Sequence, residues 1–179
     1  SVASGATAAV NSSLVLNAAA TFAIDGLLDL RGVLGGTGGL TKTGAGVLFL
    51  RGHSNNAGAT DIQTGMVVAA GQGNTHDPLG LFGSAGTTVT AGATLALGPV
   101  NSGSTGMTLV ENLTLSGRGL NGIGALRSFM GANGANVNGS VDLAGAARVQ
   151  NDLTGTLNLN GIWDLDAALS VGGPGFVSF

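Results

Sequence analysis

Two nine-residue segments far apart in this chain repeat one another position by position. Val2-Ala3-Ser4-Gly5-Ala6-Thr7-Ala8-Ala9-Val10 and Val89-Thr90-Ala91-Gly92-Ala93-Thr94-Leu95-Ala96-Leu97 both read Val-x-x-Gly-Ala-Thr-x-Ala-aliphatic, and Val141 to Val149 is a weaker copy. A second module, Leu-x-Leu-x-Gly, occurs at Leu48–Gly52, Leu113–Gly117 and Leu157–Gly161. Units this short cannot bury their own apolar face. They must stack on further copies, which narrows the fold to repeat architectures.

The modules are strand-like. Ser13-Leu14-Val15-Leu16, Thr87-Thr88-Val89-Thr90 and Ser140-Val141-Asp142-Leu143 alternate with period two and are closed by Gly, Asn or Ser; such runs are strand signals. The best helical candidate, Ile123 to Met130, is short and contains Gly124. The 34 glycines suit coil corners, where a side chain would crowd the next coil, and charged residues are only 8%, against roughly 25% in ordinary domains. Low charge fits stacked coils, because like charges would align above one another. The expectation is an all-β parallel β-helix, or β-solenoid, of about 7–8 coils of roughly 20–25 residues, forming one segment over residues 1–179. At ~4.8 Å per coil the rod would be roughly 35 Å long. The looser stretch Gly71 to Pro78 is expected to be a surface loop.

Composition also excludes function classes. The apolar residues, 44% of the chain, never run for the ~20 positions of a membrane helix, and four per cent aromatics gives no girdle for a membrane barrel. A net charge of −3 with six scattered basic residues gives no footprint for nucleic acid. With no cysteine there is no disulfide framework and no thiolate ligand. Ser1 to Gly5 does not resemble a signal peptide, which is expected upstream or already removed.

One stretch is more specific. It runs Gly36-Thr37-Gly38-Gly39-Leu40-Thr41-Lys42-Thr43-Gly44-Ala45-Gly46-Val47-Leu48-Phe49-Leu50-Arg51-Gly52, then Gly58-Ala59-Thr60-Asp61-Ile62-Gln63-Thr64-Gly65-Met66-Val67. This resembles the autotransporter-associated β-strand repeat, also called the passenger-associated transport repeat. The pattern is carried by Gly38, Gly39, Leu40, Lys42, Gly44, Gly46, Leu48, Leu50, Gly52, Gly58, Thr60, Ile62, Gly65 and Val67. Ser54 stands where the family usually has Asn, and Asn56 where it has an aromatic, so the packing of that coil departs from the family's. The resemblance implies a right-handed β-helix in a secreted or surface protein of a Gram-negative-type bacterium. It implies a passenger tied to transport, adhesion or display rather than catalysis, with no cofactor.

The titratable residues are consistent with that reading. Asp164 and Asp166 would share one strand face if residues 163–168 were extended, with Trp163 beside them as a sugar platform; the alternative is a solvated outer face with Trp163 as core or coil cap. Asp25 and Asp29 read as turn flanks, and Lys42 as an exposed charge whose stem lies over the coil. His53 and His76 lie in no metal-ligand spacing, and Gly35 to Leu40 lacks the Asp of a calcium nonapeptide. The pairs Thr41/Thr43 and Thr88/Thr90 read as outward strand residues. The three Asn-x-Ser/Thr sequons, at Asn11, Asn112 and Asn138, are expected by chance in this composition.

The functional expectation is a structural or display solenoid: a passenger, adhesin stalk or filament subunit, with self-association or further coils stacking at its ends. Ser1-Val2-Ala3 begins within a coil, and Val171 to Phe179 resembles Val33 to Val47 cut short. An unpaired coil edge needs a cap or a partner. The alternative is an adhesin module holding a host protein or glycan on loops such as 71–78 and 133–139. A third reading is a polysaccharide lyase or hydrolase centred on Asp164 and Asp166.

Overall fold

The computed structural model describes residues 1–71, 79, 85–99 and 106–179. Every strand pairing among them is parallel. The chain is a three-faced β-solenoid of about seven turns. Face A stacks Thr7–Val10, Leu27–Leu30, Val47–Leu50, Met66–Gly71, Thr94–Pro99, Leu126–Ser128, the last part of Val141–Asn151, and Leu169–Gly172. Face B stacks Ala20–Ala23, Leu40–Thr43, Thr60–Ile62, Thr87–Val89, Leu113–Gly117, the start of Val141–Asn151, and Trp163–Asp164. Face C has two ladders. One is Leu14–Leu16, Leu34–Gly36 and Asn55–Asn56; the other is Met107–Leu109, Ala135–Val137, Thr156–Leu159 and Phe176–Ser178.

The register gives the coil length. On face A, Thr7 pairs with Leu27, Leu27 with Val47 and Val47 with Met66, steps of 20, 20 and 19 residues. Met66 then pairs with Thr94 and Leu95 with Leu126, steps of 28 and 31. Leu126 pairs with Val149 and Val149 with Val171, steps of 23 and 22. The middle coils thus exceed the expected 20–25 residues. Among the described residues, the added length includes an excursion over 118–124 that contains a short 3₁₀ turn, Leu120–Gly122. Nothing over residues 123–130 is helical; Leu126–Ser128 is a face A strand.

Period-two alternation explains the core. Leu48, Val67, Leu95, Leu126 and Val149 point inward from successive coils of face A, and Ile62, Val89, Leu115 and Leu143 do so from face B. All belong to one continuous cluster running from Leu16 to Leu159. Burying each such side chain is worth about 1.5–3 kcal/mol, and no coil could supply that alone.

The repeated nine-residue module is a corner between faces B and A. In both full copies the chain turns through a left-handed glycine, Gly5 (φ 74°) or Gly92 (φ 91°), and one bond closes the turn: Ala6 N–H to Ala3 O at 3.1 Å, or Ala93 N–H to Thr90 O at 2.9 Å. The weaker copy lacks this turn. Val141–Asn151 passes from face B to face A as one uninterrupted strand, and its register against Leu113–Gly117 shifts between Leu115 and Gly117.

Candidate functional site: the motif corner around Lys42

The motif residues occupy two coils and divide into inward apolar positions and corner glycines. Leu40, Leu48, Leu50, Ile62 and Val67 are core, and Thr60 is buried in the inward column between Leu40 and Thr87. Gly38, Gly46, Gly52 and Gly58 lie at corners where successive coils approach closely. A Cβ on Gly46 would run into the Gly26 carbonyl, one on Gly52 into that of Gly32, and one on Gly58 into that of Gly38. Glycine recurs every 20 residues there because each corner sits directly over the one before it. Gly39 is less constrained; a Cβ there would lie 3.1 Å from the Ala59 carbonyl oxygen.

Lys42 corrects the sequence reading. It is fully buried, not exposed. It sits in the inward column of face B, between Phe22 and Ile62 in the coils on either side. Its ammonium donates to the carbonyls of Gly44 at 2.7 Å, Thr43 at 2.8 Å, Thr64 at 3.2 Å and Ile24 at 3.4 Å. A charge in an apolar column is costly unless it is paired and hydrogen-bonded, and here backbone carbonyls from three coils solvate it. Gly44 (φ 80°) and Gly65 (φ 74°) give the corner its shape. Burial lowers the Lys42 pKa to about 8, with Asp25 acting in the opposite direction. Asp25 is a turn flank as expected, and its Oδ1 accepts from Ala45 N–H at 3.1 Å at the same corner.

The next corner holds two further polar side chains. Ser54 and Asn56 are both buried. Ser54 Oγ donates to the Leu34 carbonyl at 2.8 Å and accepts from Asn56 N–H at 3.3 Å. Asn56 Oδ1 accepts from Gly58 N–H at 3.1 Å. The two polar side chains bond the backbone of the corner at Leu34, Asn56 and Gly58.

Asp29 is the second correction. It lies within the face A strand Leu27–Leu30, nearly buried on its outer side, rather than at a turn. Arg31 Nε reaches its Oδ2 at 2.8 Å and Arg51 Nε its Oδ1 at 2.6 Å. Burial alone would raise its pKa; the hydrogen bonds and charges of Arg31 and Arg51 outweigh this and hold it below the usual carboxylate value. Arg51 also stacks over Phe49 at 4.9 Å. A related arrangement stands further along the same face, where Arg127 pairs with Asp152 and stacks over Phe129 at 5.8 Å. Between the two lies a small outer apolar cluster of Val68, Ala70 and Ala96.

Asp164 and Asp166 do not share an extended strand. The strand ends at Asp164, the chain bends at Asp166, and both carboxylates are exposed. Trp163 is half-buried, stands next to Val141 in the inward column, packs against the main core and meets the Phe179 ring edge-on at 5.6 Å. Residues 133–139, expected as a displayed loop, contain the face C strand Ala135–Val137 with Ala135 and Val137 buried. The expected loop at 71–78 lies outside the described residues beyond Gly71, and with it His76 and Asp77. His53 is exposed, as are Thr88 and Thr90, while Thr41 and Thr43 are half-buried. Among the described residues no three His, Cys, Asp or Glu side chains gather as a metal-ligand set, and no helix is long and apolar enough to cross a membrane.

Both terminal coils leave apolar side chains uncovered. In the last coil Val171 stands in the inward column above Val149, yet 48% of it is exposed; Leu165, Phe176 and Phe179 are also exposed. At the other end a groove is lined by Val2, Val10, Leu14, Phe22, Leu28 and Leu30. No family model matches the chain, and neither a curated protein nor a solved structure matches it significantly.

Proposed function

We propose that this chain is a non-enzymatic structural and display segment of a bacterial surface or secreted protein, of the autotransporter-passenger kind, and that its ends carry further solenoid coils. The observation that supports this is the exposed inward column: Val171 at 48% exposure above a fully buried Val149. The strands of the last coil, Trp163–Asp164, Leu169–Gly172 and Phe176–Ser178, each pair on one side only among the described residues. An unpaired ladder edge over an apolar column is a template for another coil, whether from the same chain or a second copy. The resemblance at residues 36–67 supplies the passenger reading and the cell-surface location.

Sedimentation velocity and negative-stain electron microscopy of the purified chain over a range of concentrations test the stacking. Rods that lengthen with concentration are expected. Monodisperse short particles at every concentration, together with unchanged behaviour on Val171→Lys, contradict it. Surface labelling of intact bacteria that express the full reading frame tests the location.

A further inference from the structure

We propose that Lys42 is an internal cation clamp: its ammonium fills a carbonyl-lined corner suited to a small monovalent cation and ties three successive coils into one unfolding unit. In a solenoid each coil ordinarily contacts only its immediate neighbours. Lys42 joins both of its neighbours at a single atom. Ile24 belongs to the corner of the coil before it, Thr43 and Gly44 to its own, and Thr64 to the coil after. The four carbonyls converge on one buried point, and a carbonyl only accepts. Such a nest of acceptors needs a cation or a set of donors, and the three protons of an ammonium meet that need within the protein itself.

The surrounding glycines fit the same occupant. A Cβ at Gly65 would stand 2.9 Å from Lys42 Nζ and 2.5 Å from the carbonyl oxygens of both Gly44 and Gly46. The glycine at position 65 is thus required by the ammonium and its ligands as well as by its positive φ. Lys42, Gly44, Gly46 and Gly65, separate letters of the motif, form one site. The column around it is apolar, with Phe22 below and Ile62 above. Thr64 Oγ1 also donates to Gly44 O at 3.3 Å, and the Gly46 and Ile24 N–H groups reach Ile24 O and Thr43 O, so removing the lysine takes away the donor that bridges the coils rather than every donor.

Two variants test this in the full chain. In Lys42→Met, an uncharged side chain of similar length, hydrogen exchange at the Ile24 and Gly46 amides should speed up by about tenfold or more, the scale of one buried group left unsatisfied. These amides bond Thr43 O and Ile24 O at the corner. Amides of Leu126–Ser128 and Thr156–Leu159 should keep their protection. In Lys42→Ala, propylammonium chloride should raise the urea midpoint, while 1-propanol with choline chloride at equal concentration should not. Wild-type exchange throughout residues 2–67 in Lys42→Met overturns the clamp. Equal rescue by propanol also overturns it, because the site would then need volume rather than the several N–H donors of an amine. Should Lys42→Ala fail to fold, the exchange pattern of Lys42→Met decides the matter alone.

Discussion

At the scale of single residues, the stack makes every inward or corner position answer to the coils on either side. Lys42 shows the consequence. The 20-residue register places it between Phe22 and Ile62, so its inward direction was readable once the period was known. What was not readable was the set of carbonyls that makes the position tolerable, because backbone acceptors carry no letter. Lys42→Met should destabilise the fold by about 2 kcal/mol at neutral pH, because the corner carbonyls lose their shared lysine donor. The pH dependence has a definite sign. The folded chain releases the Lys42 proton near pH 8, whereas the unfolded chain keeps it to about 10.5. Between those values the unfolded state binds more protons, so stability rises with pH. Urea midpoints from pH 7.5 to 10.5 should climb in the wild type and stay flat in Lys42→Met, relative to its own value at pH 7.5.

Glycines separate into two kinds at this scale. Gly92 has a left-handed φ with open space around a would-be Cβ, so Gly92→Ala should cost only the conformational penalty of about 1–2 kcal/mol. At Gly46 a Cβ meets the backbone of Gly26. Gly46→Ala should cost about 3 kcal/mol or more, since backbone cannot move aside as a side chain can. Paired urea titrations distinguish them, and equal losses would mean that the corners do not approach closely.

At the scale of elements, the module sequences told strand from turn but not which face a strand joins. Leu48–Gly52 begins on face A, Leu113–Gly117 on face B and Leu157–Gly161 on face C, although all three read Leu-x-Leu-x-Gly. Face identity depends on how many residues each corner uses, which the local pattern does not carry. The expectation that like charges would align between coils is met on face A, where Arg31 and Arg51 stand one coil apart. Asp29 resolves the clash by bonding both. Because its pKa is lowered on folding, its contribution is present above the unfolded carboxylate range and is lost as pH falls below about 4. Acid titration of Asp29→Asn should therefore show a shallower loss of stability than the wild type. The excursion at 118–124 is held similarly by one residue: Thr94 Oγ1 donates to Gly124 O at 2.8 Å and accepts from Leu120 N–H at 2.9 Å. Thr94→Val should release that segment to limited proteolysis while the adjoining face A strands stay protected.

At the scale of the whole molecule, the described coils share one core from Leu16 to Leu159, and the two end coils leave Val171 and the groove around Val2 uncovered. Repetition and glycine punctuation were enough to reach a solenoid of the right number of coils. They did not reveal the long middle coils, because residues added between strands, such as the excursion at 118–124, leave the strand modules untouched. The whole stack rests on its register, which face B allows to be measured along one outward column: Thr21, Thr41, Asp61, Thr88, Thr114, Asp142 and Asp164 follow one another coil by coil. The chain has no cysteine, so paired spin labels can be placed there without background. Electron–electron double resonance should give about 19 Å for Thr21→Cys with Thr114→Cys and about 29 Å for Thr21→Cys with Asp164→Cys, ~4.8 Å for each coil crossed. Distances that track sequence separation instead, or broad distributions for both pairs, would contradict the solenoid.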